Sequence, residues 1–204
     1  MVNKKALLMV ATALVTALIL SSLAVTRTAH SEELTPENPD IVMFLQIAGI
    51  PGESMDPLHQ NWIDIEAFNW GEAMASVTAT ISGRSAGKVN MADFHFSMKT
   101  NKASPSLFLD CAIGKYIPNA TLDVCIPFGA ENQGPLLYLR FNFTQVTITS
   151  YSIGGSTPMD RSVDEFSIAF SKITMTYIQI GEDGSIVGTI TAYYDLVAGK
   201  GGFI

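Results

Sequence analysis

Several apolar runs of this chain alternate with polar residues and then change parity partway. Ile63 and Ile65 alternate with Asp64 and Glu66, yet Phe68 and Trp70 fall on the other parity. Val89 and Met91 are followed by Phe94, Phe96 and Met98. Leu137, Leu139, Phe141 and Phe143 give way to Val146 and Ile148, and Phe166, Ile168 and Phe170 to Ile173, Met175 and Tyr177. Successive strand side chains point to opposite faces, so an unbroken flat strand cannot bury both halves of such a run. One extra residue in a bulge, near Ala67 in the first case, restores a common inward face and bends the strand. Strands that bend while keeping one face inward are what small barrels require. The pattern predicts a mainly β fold: a barrel of bulged antiparallel strands rather than a flat sheet.

One segment breaks the period of two. Ser104 fits a helix N-cap and Pro105 the first helical position. Leu107, Phe108, Cys111 and Ala112 then form an apolar stripe at helical spacing, and Gly114 fits a left-handed stop. So short a helix cannot stand alone and must flank the barrel. Around it, Ala120, Leu122, Val124 and Ile126 give clean strand alternation. The nearly all-apolar run from Ile41 to Ile47 predicts a strand covered on both faces. Glu182-Asp183-Gly184 reads as a hairpin turn before a last strand, Ile186 to Leu196.

Residues 1–24 read as a secretory leader. Lys4 and Lys5 begin it, an apolar run follows to Leu20, and Ser22-Leu23-Ala24 offers small residues for cleavage. The uncharged run 6–25 also approaches the length of a membrane span, so an uncleaved anchor is the alternative. Either way, the rest of the chain is expected outside the cytoplasm, periplasmic or extracellular. Residues 25–40, with Ser31, Glu32, Glu33, Pro36 and Pro39, read as a flexible linker. The domain is expected over 41–197, and the glycine-rich end, 198–204, as a flexible tail. A net charge of −7 without a basic stripe argues against nucleic acid and against anionic membrane surfaces.

Chemistry-bearing motifs are weak. Gly83-Arg84-Ser85-Ala86-Gly87-Lys88-Val89 resembles a phosphate loop but has one residue too few between its glycines. Val89 stands where the magnesium-binding hydroxyl belongs, and a strand follows where a helix is needed. The bland reading is a strand connection in which Arg84 and Lys88 offer a contact point. His30 falls in the linker, His59 in a loop and His95 on a strand, and their spacing converges on no metal. Solvated or interface histidines are the reading for all three. No G-x-S-x-G elbow occurs, and Asp64 and Glu66 alternate as a solvated strand face would. No cofactor is expected. Cys111 and Cys125, the only cysteines, could pair in an exported protein or remain separate thiols. Asn119-Ala120-Thr121 and Asn142-Phe143-Thr144 match a glycosylation sequon but lie inside expected strands.

The segments IVMFLQIAGIPGES, IDIEAFNWG and GRSAGKVNMADFHFSMKTNKASPSLFLDCAIGKYIPNATLDVC carry a resemblance, as do LYLRFNFTQVTITSYSIGGS, DEFSIAFSKITMTY and DGSIVGTITAYYDL. Together they resemble the haemolysin-coregulated protein (Hcp) family, the tube protein of type VI secretion, from Ile41 to about Leu196. The resemblance implies a non-catalytic β-barrel with a flanking helix that assembles into a homohexameric ring. In the family such rings stack into a tube, a VgrG spike caps it, and small effectors ride in the lumen. By the same resemblance Asn69 looks like a lumen-facing position, and the loop holding Arg84, Ser85 and Lys88 looks like the one that contacts neighbouring rings. The leader departs from the family, whose tube proteins assemble in the cytoplasm. A free-standing exported binding module that kept the barrel and lost the tube is the alternative.

Overall fold

The computed structural model describes residues 41–204 except 75–76, 81–82, 87–88 and 128–133, and the backbone alone over the rest of 75–88. The expected leader and linker, and His30, lie outside the described residues.

The parity changes mark where strands bend and exchange partners. β1 (Val42–Ile47) pairs with β2 (Ile63–Ile65) on one edge and with β9 (Ile117–Ile126) on the other. After Glu66 the chain resumes as β3 (Ala67–Asn69), which pairs instead with β8 (Phe94–Lys99). Glu66 itself donates its amide to the Ser97 carbonyl at 2.9 Å. The expected strand from Trp62 to Trp70 is therefore two arms meeting at a corner next to the predicted bulge.

β10 (Leu136–Gly154) is the long element of the fold. Its first half lies between β9 and β12 (Lys172–Ile180), and its second half pairs with β11 (Val163–Ala169). The bend falls at Gln145, a non-glycine residue with φ +54°, between the Phe143 and Val146 parities. Opposite it, Phe170 and Ser171 separate β11 from β12. Followed edge to edge, β1, β9, β10, β11, β8 and β3 form a continuous wall, and the chain itself turns at Glu66 from β3 to β2, which pairs with β1, so that the covalent corner rather than a ladder completes the barrel. Its inside holds Leu45, Ile63, Phe94, Phe96, Met98, Leu122, Val124, Phe143, Phe166 and Ile168, all almost fully buried.

Two ribbons leave the barrel. β4 (Glu72–Met74) pairs with β7 (Val89–Met91), and β5 (Val77–Thr80) with β6 (Gly83–Ala86). The stretch read as a strand connection is thus the return arm of a hairpin. On the other side β12 continues into β13 (Ile186–Asp195) through the predicted turn, with Gly184 at φ +80°. β13 pairs in turn with β14 (Lys200–Phe203). This corrects the expectation of a flexible tail. Glycine at 201 is there because the strand runs close: a Cβ on Gly201 would collide with the Tyr193 carbonyl and the Tyr194 ring.

The helix α1 (Ser104–Ile113) forms as expected, with Gly114 left-handed at φ +62°. Its cap sits one residue earlier than read: Ala103 is the N-cap, and Ser104 Oγ accepts the Asn101 amide at 3.0 Å. The buried face is Ser104, Leu107 and Asp110, with Cys111 half-buried. The expected stripe is thereby rotated, and Phe108 turns outward, 59% exposed. Asp110 can face inward because the Lys115 ammonium, 3.0 Å away, neutralises it from the rim.

Candidate functional site

The outer face of β3, β8, β11 and the second half of β10 is polar and concave. The pairings put Asn69, His95, Ser167 and Ser150 in one row across four strands, and Ala67, Ser97, Glu165 and Ser152 in the next. Phe94, Phe96, Phe166 and Ile168, on the alternate parity, face the core, so the same strands supply both surfaces. An open groove of about 550 Å³ runs over these rows. Ser150 donates to Ser167 Oγ at 2.7 Å, and Ser167 Oγ lies 2.6 Å from His95 Nδ1, a short chain of bonds that fixes the imidazole. Asn69, read as lumen-facing, lies in this groove. His95 is exposed, in keeping with its outward parity.

The second feature is apolar. Phe143, Ile173 and Tyr194 share a face, as do Phe141, Met175, Ala192 and Phe203, and as do Leu139, Tyr177 and Ile190. The inner face of the barrel thus runs on beyond its edge along β12, β13 and β14. Out there Met175 is 44%, Ile190 62% and Phe203 81% exposed. A trough of about 420 Å³ lies between this face and Trp70, Glu72 and Met91. A separate exposed patch on and after α1 carries Phe108, Leu109, Ile113 and Tyr116.

Of the remaining residues singled out by sequence, Arg84 and Ser85 lie on β6, their backbones paired with Ala79 and Thr78. Lys88 lies outside the described residues. Cys111 and Cys125 are separate free thiols. Cys125 is buried on β9, and burial, with the nearby Asp123 and Asp56 charges adding to it, pushes its thiol up to about 12.

His59 is the residue that sequence reasoning misplaced. It is 5% exposed, not solvated. The loop between Gly52 and Trp62 folds over the outer face of β1 and β9 and stacks the imidazole on Phe44, with centroids 4.2 Å apart and planes within 6°. Nδ1 is 2.7 Å from Asp56 Oδ1, and Nε2 is 3.1 Å from Oδ2 of the fully buried Asp123. Arg140 Nε and Nη2 each donate to Asp123 at 2.6 Å, a bidentate bond that raises the Arg140 pKa. The available signal was Phe44: an apolar residue on the outward parity of β1, opposite Asp123, needs a cover.

Comparison with known proteins gives the family. A family model described as type VI secretion system effector, Hcp, matches residues 44–177. The protein hcp1 of Pseudomonas aeruginosa is 33% identical over 151 residues, which cover 74% of this chain and 91% of that protein. Hcp1 from Salmonella typhimurium is 35% identical, with a TM-score of 0.64 over 79% of this chain and 98% of the other. A type six secretion system protein at 24% identity has a TM-score of 0.72 over 80% of this chain and all of that one, a likeness of fold. The bent-strand barrel, its flanking α1 and the match over most of the domain together make this chain a member of the Hcp family of type VI secretion proteins.

Proposed function

We propose that the chain is the subunit of a homohexameric ring whose barrel wall carries the Asn69 groove on the lumen side. Membership of the family makes it a structural component of secretion rather than an enzyme. One observation supports the ring most: the core face runs out along β12–β14 and stays uncovered in a single copy, with Phe203 and Ile190 largely exposed. An apolar face of that extent marks a contact surface. The apolar patch of α1 is a different surface, and two unlike patches fit a head-to-tail contact, which closes into a ring when the rotation allows. The β5–β6 hairpin with Arg84 and Ser85, and Lys88 after it, would meet the neighbouring ring. A VgrG-like spike and small effector proteins are the partners that the family resemblance implies.

Sedimentation and negative-stain imaging of residues 25–204 at tens of micromolar test the reading. Rings are expected, and a monodisperse monomer would overturn it. The leader-like start, Lys4 and Lys5 before an apolar run, favours a second reading, an exported binding module with the same barrel that no longer builds a tube. In that reading the protein is periplasmic or extracellular after cleavage, or held at the membrane by residues 6–25. Localising tagged protein in cells with and without a secretion apparatus separates the two: export independent of the apparatus supports the second.

A further inference from the structure

Glu53 and Asn61 tie the two ends of the Gly52–Trp62 loop to Lys102 and Arg161, while the middle of the loop is fastened to β9 through the His59 imidazole. Asp56 Oδ1 accepts the amides of Leu58 and His59, each at 3.0 Å, as well as His59 Nδ1. Its carboxylate therefore shapes the turn and grips the ring at once. Asp123, on β9, takes the other ring nitrogen. An ionised carboxylate only accepts hydrogen bonds, while a neutral imidazole has one N–H and one lone pair. Neutral His59 would set that lone pair against a carboxylate oxygen in a site that is almost closed to solvent. The imidazolium donates to both.

Charge balance agrees. Asp56 and Asp123 carry two negative charges, and Arg140 and a protonated His59 carry two positive ones. Among the described residues the Cys125 thiol also faces them, and the charged groups at the ends of the loop are Glu53, Lys102 and Arg161, with Glu53 and Arg161 paired to each other. Phe44 and Trp62, which sandwich the ring face-on and edge-on, supply no charge. Deprotonating His59 would leave a surplus negative charge on a fully buried carboxylate.

We propose that His59 is a protonation latch: its imidazolium, gripped between Asp56 on the loop and Asp123 on the barrel, holds the Gly52–Trp62 loop down, and loss of the ring proton releases it. The latch is closed where the ring is charged and both carboxylates are ionised. Met55 and Leu58, 86% and 75% exposed, ride on this loop, so their position depends on the state of the latch. The inference stands apart from the ring reading, because every group in it belongs to one chain.

The full chain labelled at histidine Cε1 tests it. With three histidines in the sequence, His30→Gln and His95→Gln variants identify the His59 signal. Hydrogen exchange of peptides over 51–62 is followed across the same pH range and corrected for the intrinsic rate. The expected result is an imidazolium signal while the loop is protected. As that signal titrates upward in pH, protection of the loop should fall about ten- to hundredfold, the worth of a hydrogen bond to a charged group, while β8 and β11 stay protected. His59→Gln should show the open-loop exchange at every pH. A neutral ring in the protected loop, or a ring that loses its proton with the loop unmoved, overturns the proposal. Both readouts come from the unsubstituted protein, so a poorly folding variant does not blunt them.

Discussion

Phe94→Ala is the sharpest test of how the barrel is held together. Phe94 has no solvent exposure and lies within ring-stacking range of Phe68, Trp70, Phe96, Phe141 and Phe143, at centroid distances of 5.5, 5.8, 5.1, 5.3 and 5.0 Å. Truncating a buried phenylalanine costs about 3–5 kcal/mol through lost burial and the cavity left behind. Each aromatic pair adds about 0.5–1.5 kcal/mol beyond its area, and such terms do not simply add. Phe166 is the control: it is buried to a similar degree, but among the described residues its one ring neighbour is Phe96, at 5.2 Å. Phe94→Ala is therefore expected near the top of the range and about 1–2 kcal/mol above Phe166→Ala. Urea unfolding followed by tryptophan emission reads this directly, because Trp70 stacks on Phe94 with planes 12° apart. Trp62→Phe removes the other indole. Protein concentration must be fixed, since assembly adds to apparent stability. Equal losses for the two truncations, or a larger one for Phe166, would refute the idea that an aromatic cluster centred on Phe94 organises the core.

Other variants probe single points of the fold. Gly52→Ala puts a Cβ into the Trp62 carbonyl, so the loop must shift, and a lower melting temperature with raised exchange over 51–62 is expected. Gly114→Ala meets no atom but keeps φ +62°, so it should cost only about 1 kcal/mol in urea unfolding. A chromogenic disulfide reagent at pH 8 should titrate one thiol, Cys111, in the native protein and two after denaturation. Because the Cys125 thiol is pushed up to about 12, its contribution to stability is complete below the ordinary thiol range and drains away as pH climbs from there towards 12. Phe203→Asp should shift sedimentation from rings to monomers while leaving thermal unfolding of the monomer nearly unchanged, because the side chain is 81% exposed.

The bends were legible and the pairings were not. A parity change is written locally, in Ile65 against Phe68 or Phe143 against Val146, because side-chain direction follows the chain. Which strand receives each arm depends on residues far away: β10 serves β9, β12 and β11 in turn, and nothing within Leu136–Gly154 names them. His59 was opaque for the same reason. Its turn-rich surroundings look solvated, and the carboxylate that buries it lies 64 residues on. The end of the chain misled through composition: Gly199, Gly201 and Gly202 look like a tail, yet glycine at 201 is what lets β14 approach Tyr193. Of the candidate site, Asn69 and His95 could be placed outward by parity, but the Ser150–Ser167 row that completes the groove required the β10–β11 register.

Parity also divides the work of the barrel wall. On β8 the inward residues Phe94, Phe96 and Met98 are almost fully buried, while His95 on the other face is exposed. Substitutions at Asn69, His95 or Ser150 can therefore change what the groove binds while leaving the packed core alone, because surface changes away from packed contacts usually shift stability little. Along β12 no such separation holds. Its open residues, Met175 and Tyr177, pair with the core-facing Phe141 and Leu139 on one continuous face. A change that alters assembly there also touches the edge of the core. Groove variants should consequently fold normally and differ in partners, whereas variants at Met175 should lose assembly and stability together.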